Sequence, residues 1–320
     1  MGASKSKNKQ TKSSTRTPTT TSKQNINNIN QSNPESHNRI REVCPIGHGK
    51  PVNKDEINEL YRYESSMCRI VIYETIEKRK IEKESGTGFF CEINDNSIPF
   101  KKALFTNNHV LNENRIGINE EIEFEYLNQM KKIKMTENRK VFTDSNLDYT
   151  CIEIFDEDEI FDKDKINNIF RIDTDIFDNK NNVKDKEIFI LQYPNGETIS
   201  HDHGIILDIK DNEIKHSVAT LSGSSGSPLI KRYNINLVIG IHYGGDKEKD
   251  KGNNEFIYNY ATPFDIIIKD IKNKIFNNKT NKINNNIIEY RNKINIIYYK
   301  ENNSSNKIFG NKFVENNKII

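Results

Sequence analysis

Short strand-like segments at turn-punctuated intervals, very little helix, and one charged break midway predict an all-β fold in two halves, each a sandwich or a barrel. Residues 42–66 form a connecting segment, and its stretch 53–61 (Lys-Asp-Glu-Ile-Asn-Glu-Leu-Tyr after Asn53) reads as a short helix. Strands are then expected at 68–73, 87–93, 102–105, 121–126 and 149–154, from apolar residues alternating with polar ones or gathered in short runs. The segment 156–186 is dense in Asp, Glu and Lys and reads as the link between halves. A second set of strands follows at 187–192, 205–209, 213–219, 228–231, 237–242 and 256–260. Phe264, Ile267, Ile268, Ile271 and Ile275 fall at helical spacing, so 264–275 should be a helix laid on the second half.

The ends of the chain have a different composition. Hydrophobic residues are 34% of the whole and mean hydropathy is −0.81, low for a chain packed throughout. Residues 1–41, rich in Ser, Thr, Lys, Asn and Gln, and residues 276–320, an Asn/Ile/Lys tract, read as disordered basic tails. Residues 1–41 hold eight Lys and Arg against one acid, and residues 271–320 hold ten against three. With +2 overall, the stretch 42–270 carries −12. Basic tails without interleaved aromatics or a recognised module do not point to nucleic acid.

Met-Gly-Ala-Ser-Lys-Ser fits the pattern for myristoylation of Gly2, and Lys5, Lys7, Lys9, Lys12, Arg16 and Lys23 follow with no acid among them. One acyl chain holds a membrane weakly, and a polybasic patch supplies the usual second contact with an anionic surface. The other reading is an ordinary basic leader. No secretory apolar core stands in the first 30 residues, so the expected location is the cytoplasm, at the cytosolic face of a membrane if Gly2 is acylated. Of the four cysteines (44, 68, 91, 151), Cys91 and Cys151 sit in apolar strand patterns and read as small core residues. Cys44 and His48 lack a second ligand pair, so neither a metal nor a cofactor is expected.

Three polar residues stand out of this framework. His109 ends Ala-Leu-Phe-Thr-Asn-Asn-His-Val-Leu, Asp148 precedes an alternating strand in Asn-Leu-Asp-Tyr-Thr-Cys-Ile, and Ser225 lies within Thr-Leu-Ser-Gly-Ser-Ser-Gly-Ser-Pro. A serine hydroxyl becomes a nucleophile when an imidazole takes its proton and a carboxylate orients that imidazole. Asp144 is the nearby rival for the acid; Asp148 is preferred because it abuts a strand that can hold it still. His201, His203 and His216 have no comparable context and read as loop or strand residues.

Thr-Asn-Asn-His-Val (106–110), Leu-Asp-Tyr-Thr-Cys-Ile (147–152), Gly-Ser-Ser-Gly-Ser-Pro (223–228), Gly-Ile-His-Tyr-Gly-Gly (240–245) and Tyr-Ala-Thr-Pro-Phe (260–264) occur in one order over residues 67–275. In this the sequence resembles the trypsin-like, chymotrypsin-fold serine endopeptidases, closest to their glutamyl endopeptidase and HtrA-like branch. The His…Asp…Ser order is that of this fold and of neither subtilisins nor α/β-hydrolases. The resemblance implies two antiparallel six-stranded β-barrels, about 67–155 and 187–263, with the site in the cleft between them. It implies His109, Asp148 and Ser225 as the catalytic triad and the N–H groups of Gly223 and Ser225 as the oxyanion hole. Tyr243 and Gly244 would bind an extended peptide as an added strand. Thr220 and His242 match the positions that contact a substrate carboxylate in glutamyl endopeptidases, which implies cleavage after Glu. The long leader departs from those secreted enzymes, and the acidic body opposes approach of acidic segments at low salt. Val110 follows His109, so the disulfide that secreted relatives form there is absent. The expected partner is a protein or peptide substrate. The competing reading is a catalytically silent, membrane-anchored scaffold that binds peptides in the same cleft.

Overall fold

The computed structural model describes residues 50–161, 168–174, 184–210, 212–249 and 255–280. The basic leader with Gly2, the Cys44/His48 pair and the stretch from 281 onward lie outside the described residues. The chain enters through α1 (Lys54–Tyr61), which a capping box starts: the Asn53 side chain accepts from the N–H of Glu56, and the Glu56 carboxylate accepts from the N–H of Asn53. The first half contains β1 (Met67–Ile76), β2 (Arg79–Glu92), β3 (Lys102–Thr106), β4 (Glu121–Tyr126), β5 (Gln129–Lys134), β6 (Val141–Asp144) and β7 (Tyr149–Glu153). After β8 (Phe170–Ile172) come β9 (Glu187–Gln192), β10 (Ser200–Lys210), β11 (Glu213–His216), β12 (Pro228–Lys231), β13 (Leu237–Lys249) and β14 (Glu255–Pro263). A final helix, α2, occupies 264–280. Among the described residues no helix is long and apolar enough to cross a membrane.

The second half is a closed six-stranded antiparallel barrel, running β9-β10-β11-β14-β13-β12 and back to β9. The first half follows the path β5-β4-β1-β2-β3-β7-β6, seven strands where the resemblance implies six. The turn Asp144–Leu147 joins β6 to β7, the Asp144 carboxylate accepting from the N–H groups of Asn146 and Leu147. β8 lies inside the segment read as a link and pairs in parallel with both β2 and β13, so it joins the two halves.

Alternation along the strands explains how one sheet path serves three cores. Phe90, Leu104 and Ile152 turn into the interior of the first half with Ile70, Phe124 and Ile133. Their neighbours Phe89, Phe105 and Cys151 turn the other way, into a layer shared with Phe189, Ile241 and Phe264. β9 does the same: Ile188 and Ile190 fill the second barrel, while Phe189 and Leu191 face the shared layer. Strands buried on both faces read as unbroken apolar runs, as these do. α2 seals the shared layer with Phe264, whose ring meets those of Phe105 and Phe89 edge-on at 5.0 and 6.1 Å. Cys68, Cys91 and Cys151 are buried and unbridged.

Candidate active site

His109 stands in the turn that ends β3, and Asp148 stands in the turn that opens β7. β3 and β7 are neighbours in register, with Thr106 opposite Thr150, so the pairing delivers both turns to one end of the first half. Two hydrogen bonds then join the residues: the His109 N–H donates to Asp148 Oδ1 at 2.9 Å, and the ring Nδ1 lies 2.7 Å from Oδ2. A carboxylate can only accept, so the proton of the neutral ring sits on Nδ1 and Nε2 is left as the acceptor. Asp148 is held at φ 47°, in the left-handed region, and its carbonyl accepts from Asn107 Nδ2 at 2.8 Å. The His109 side chain is 48% exposed and that of Asp148 22%, so water reaches the pair.

Ser225 sits at the apex of the loop between β11 and β12. Gly223 and Gly226 flank it at φ +90° and +92°, which a residue with a Cβ rarely adopts. At Gly226 the space is closed as well, because a Cβ there would lie 1.9 Å from the carbonyl oxygen of Thr87. Inside the loop, Ser224 N–H donates to Leu221 O, Ser227 N–H to Ser224 O, and Gly226 N–H to His242 O. The N–H groups of Gly223 and Ser225 have no protein acceptor among the described residues, so both remain open to an incoming oxygen. The hydroxyl of Ser225 lies 3.5 Å from the Tyr243 carbonyl, too long for a strong bond, and makes no hydrogen bond to the His109 ring.

β13 runs beside this loop, with the His242 N–H donating to Ser227 O at 2.9 Å. The β13–β14 ladder shifts register between His242 and Gly244, which throws Tyr243 out of the regular pairing. The Tyr243 hydroxyl is fixed by Glu213 at 2.5 Å and its ring stacks on Tyr260 at 6.3 Å. Beside it Gly244 faces open space, with nothing within 4 Å of where a Cβ would be. Thr220 and His242 are both buried. Burial pushes the His242 imidazole down to about 3, a hydrogen bond with the Tyr260 backbone opposing the shift and the charge of His109 adding to it.

One partner of His242 was not legible as such. His216 places Nε2 3.3 Å from His242 Nδ1, is itself wholly buried, and is driven well below the ordinary histidine range by burial and then by His242. Among the described residues its Nδ1 has no hydrogen-bond partner. The available signal was its phase: Ile214 and His216 are the two inward positions of β11. His201 and His203 lie on β10, and His201 packs edge-on against Tyr61 at 5.4 Å.

Residues 86–241 match the family model of the trypsin-like peptidase domain, a span that includes His109, Asp148 and Ser225 and stops one residue short of His242. No curated protein matches the chain. Among solved structures, the serine endoprotease from Yersinia pestis is similar at 16% identity with a TM-score of 0.45. That match covers 68% of this chain and only 66% of the endoprotease, so the chain corresponds to part of that protein's length.

Proposed function

We propose that this chain, whose residues 86–241 match the trypsin-like peptidase domain, is a serine endopeptidase that cleaves peptide bonds through His109, Asp148 and Ser225. The observation that carries the proposal is the paired contact of His109 with Asp148, backbone to one oxygen and ring to the other, which leaves Nε2 as the basic face. With a peptide in the cleft, Nε2 takes the Ser225 proton as Oγ attacks the carbonyl carbon. Asp148 stabilises the imidazolium that forms. The developing oxyanion accepts from the N–H groups of Gly223 and Ser225, a contribution of about 2.7–4 kcal/mol per donor in comparable sites. The imidazolium then protonates the leaving amine, and water, activated by the same imidazole, hydrolyses the acyl-enzyme. Serine–histidine geometry is commonly loose before substrate arrives, which fits the open Ser225 hydroxyl.

Preference for Glu before the scissile bond is part of the proposal, with His242 and Thr220 as the contacts. At neutral pH His242 is uncharged, so it would receive the carboxylate as a hydrogen-bond donor, taking up a proton only once that charge is in place. His216 fixes the His242 ring from behind. Gly244 leaves room for the substrate backbone beside Tyr243. The leader's motif supports myristoylation of Gly2 and attachment to an anionic membrane surface, which gives a cytosolic-face location.

A serine-reactive fluorophosphonate separates an active protease from a silent scaffold. Labelling of wild type at Ser225 and none of Ser225→Ala is the expected result; an unlabelled, folded wild type would establish the scaffold. For Gly2, the intact mass of protein from its native cell should carry a myristoyl group, and an unmodified Gly2 ends that part of the proposal.

A further inference from the structure

Thr87 lies on β2 between two glycines, wholly buried, 138 residues before the nucleophile candidate. Every polar atom it has is used at the join between the halves. Its N–H donates to Ser225 O at 2.8 Å, and its carbonyl accepts from the Thr106 hydroxyl at 2.8 Å. Its own hydroxyl donates to Gly223 O at 2.9 Å and accepts from the Tyr193 N–H at 3.0 Å. Thr106 is three residues before His109 on the same strand end, so one run of bonds links the acid–base arm to the nucleophile loop.

We infer that the Thr87 hydroxyl is a positioning residue for the oxyanion hole: it holds the Gly223–Ser224 peptide through the Gly223 carbonyl and, across the glycine Cα, restrains the neighbouring plane that carries the Gly223 N–H. This deepens the protease reading and rests on it. Glycine at φ +90° has the least stiffness of its own, so the direction of its N–H depends on what holds the peptide planes on either side. The Ser222 carbonyl, in the plane that carries the Gly223 N–H, accepts from the Asn195 N–H. The Gly223 carbonyl, in the next plane, is held by Thr87. Both anchors come from one tight assembly. Tyr193–Gly196 packs so closely on the loop that a Cβ at Gly223 would lie 2.7 Å from Tyr193 O and 2.9 Å from the Gly196 nitrogen. Thr87 ties that turn and that loop together through a single hydroxyl, which is donor to one and acceptor from the other.

Thr87→Val keeps the shape and removes the hydroxyl, which frees the Gly223 carbonyl and leaves the Tyr193 N–H unpaired. A donor misaimed rather than deleted should cost about ten- to a hundred-fold in kcat, less than the ~10²–10³ for outright loss of a donor. KM should move by less than about two-fold, because the ground-state carbonyl relies little on that donor. Thr87→Ser restores the hydroxyl and should return kcat to near wild type. A purely structural role would lower thermal stability and leave kcat per folded molecule unchanged; that outcome, or a loss confined to KM, overturns the inference. Amide hydrogen exchange gives a readout that needs no activity. Thr87→Val should speed exchange at 193–196 and 221–226 and leave the rest of the barrels as in wild type, whereas unchanged exchange there overturns the strut. If wild type proves inert towards peptides while the exchange difference is present, the protease reading fails and the strut stands.

Discussion

The two arms of the candidate site are held by opposite means. His109 and Asp148 face water, carry the charge of the site, and fix one another by side-chain bonds. On the other side, Ser225 and the loop around it are held by carbonyls, N–H groups and hydroxyls, with buried His216 and His242 kept uncharged behind them. The difference follows the job each arm would do. A proton carrier must gain and lose charge, which costs least where solvent assists. An oxyanion hole and a selectivity pocket work by fixed dipoles in dry surroundings, where each donor counts for more and none needs to reorganise.

The largest effects should come from breaking the charge-bearing arm or the nucleophile it serves. Ser225→Ala removes the attacking atom and should lower kcat on a peptide by about 10⁶-fold, with His109→Ala close behind. Asp148→Asn should lose about 10⁴-fold, because an amide can face the Nδ1 position with its N–H and leave the ring in the wrong tautomer. Circular dichroism should show all three folded. A folded variant with wild-type turnover would remove its residue from the mechanism.

The readable parts of this chain are those where local chemistry had no alternative. Gly226 can be nothing else, because the loop needs positive φ and the Thr87 carbonyl fills the space of a side chain. The apolar runs of β3, β7 and β9 were readable because both faces are buried. β5 was not, since only Ile133 of Gln129–Lys134 is buried and the other five residues give no alternation. Its hairpin turn also lacks the usual sign: Leu127 and Asn128 both sit at positive φ, where Asn-Gly is the common choice. β8 has three residues and exists through its two partners. Nothing in the sequence marks the role of Thr87, and His216 reads there only as a loop or strand residue, because both roles depend on contacts made across the fold, 136 and 26 residues away. α2 extends to 280, beyond the 275 that its apolar spacing marks, since Phe276 and the residues after it are exposed and lie off the buried stripe.

Breaking the neutral arm should have a smaller and more selective effect. His242→Ala deletes the proposed donor to a substrate carboxylate and leaves that charge unpaired. Cleavage after Glu should fall about 10²-fold in kcat/KM, and cleavage after Leu by less than about three-fold. His216→Phe, which keeps a ring behind His242 and removes the nitrogen, should give a weaker version of the same pattern. A peptide series varied only at the residue before the cut makes the comparison. Equal losses on both substrates would make His242 a packing residue, and a preference for Lys or Arg would remove the Glu proposal altogether.

The smallest effect sharpens the contrast most, because it asks whether the pocket holds charge before substrate arrives. kcat/KM reports the ionisation of free enzyme and free substrate. With His242 held down to about 3, the free pocket is neutral throughout pH 6–8, and a substrate Glu, near 4.3, is ionised over the same window. The ratio of kcat/KM for Glu to that for Leu should therefore stay constant within about two-fold from pH 6 to 8. It should fall only below about pH 5, where the substrate carboxylate itself takes a proton. Any ionisation of the enzyme that both substrates share cancels in the ratio. Were His242 an ordinary imidazole with a value near 6.5, it would be charged at pH 6 and neutral at pH 8, and the ratio would drop steeply across that interval. A steep drop would show that the second arm carries charge as the first does, and that burial around His216 and His242 does not keep the pocket neutral.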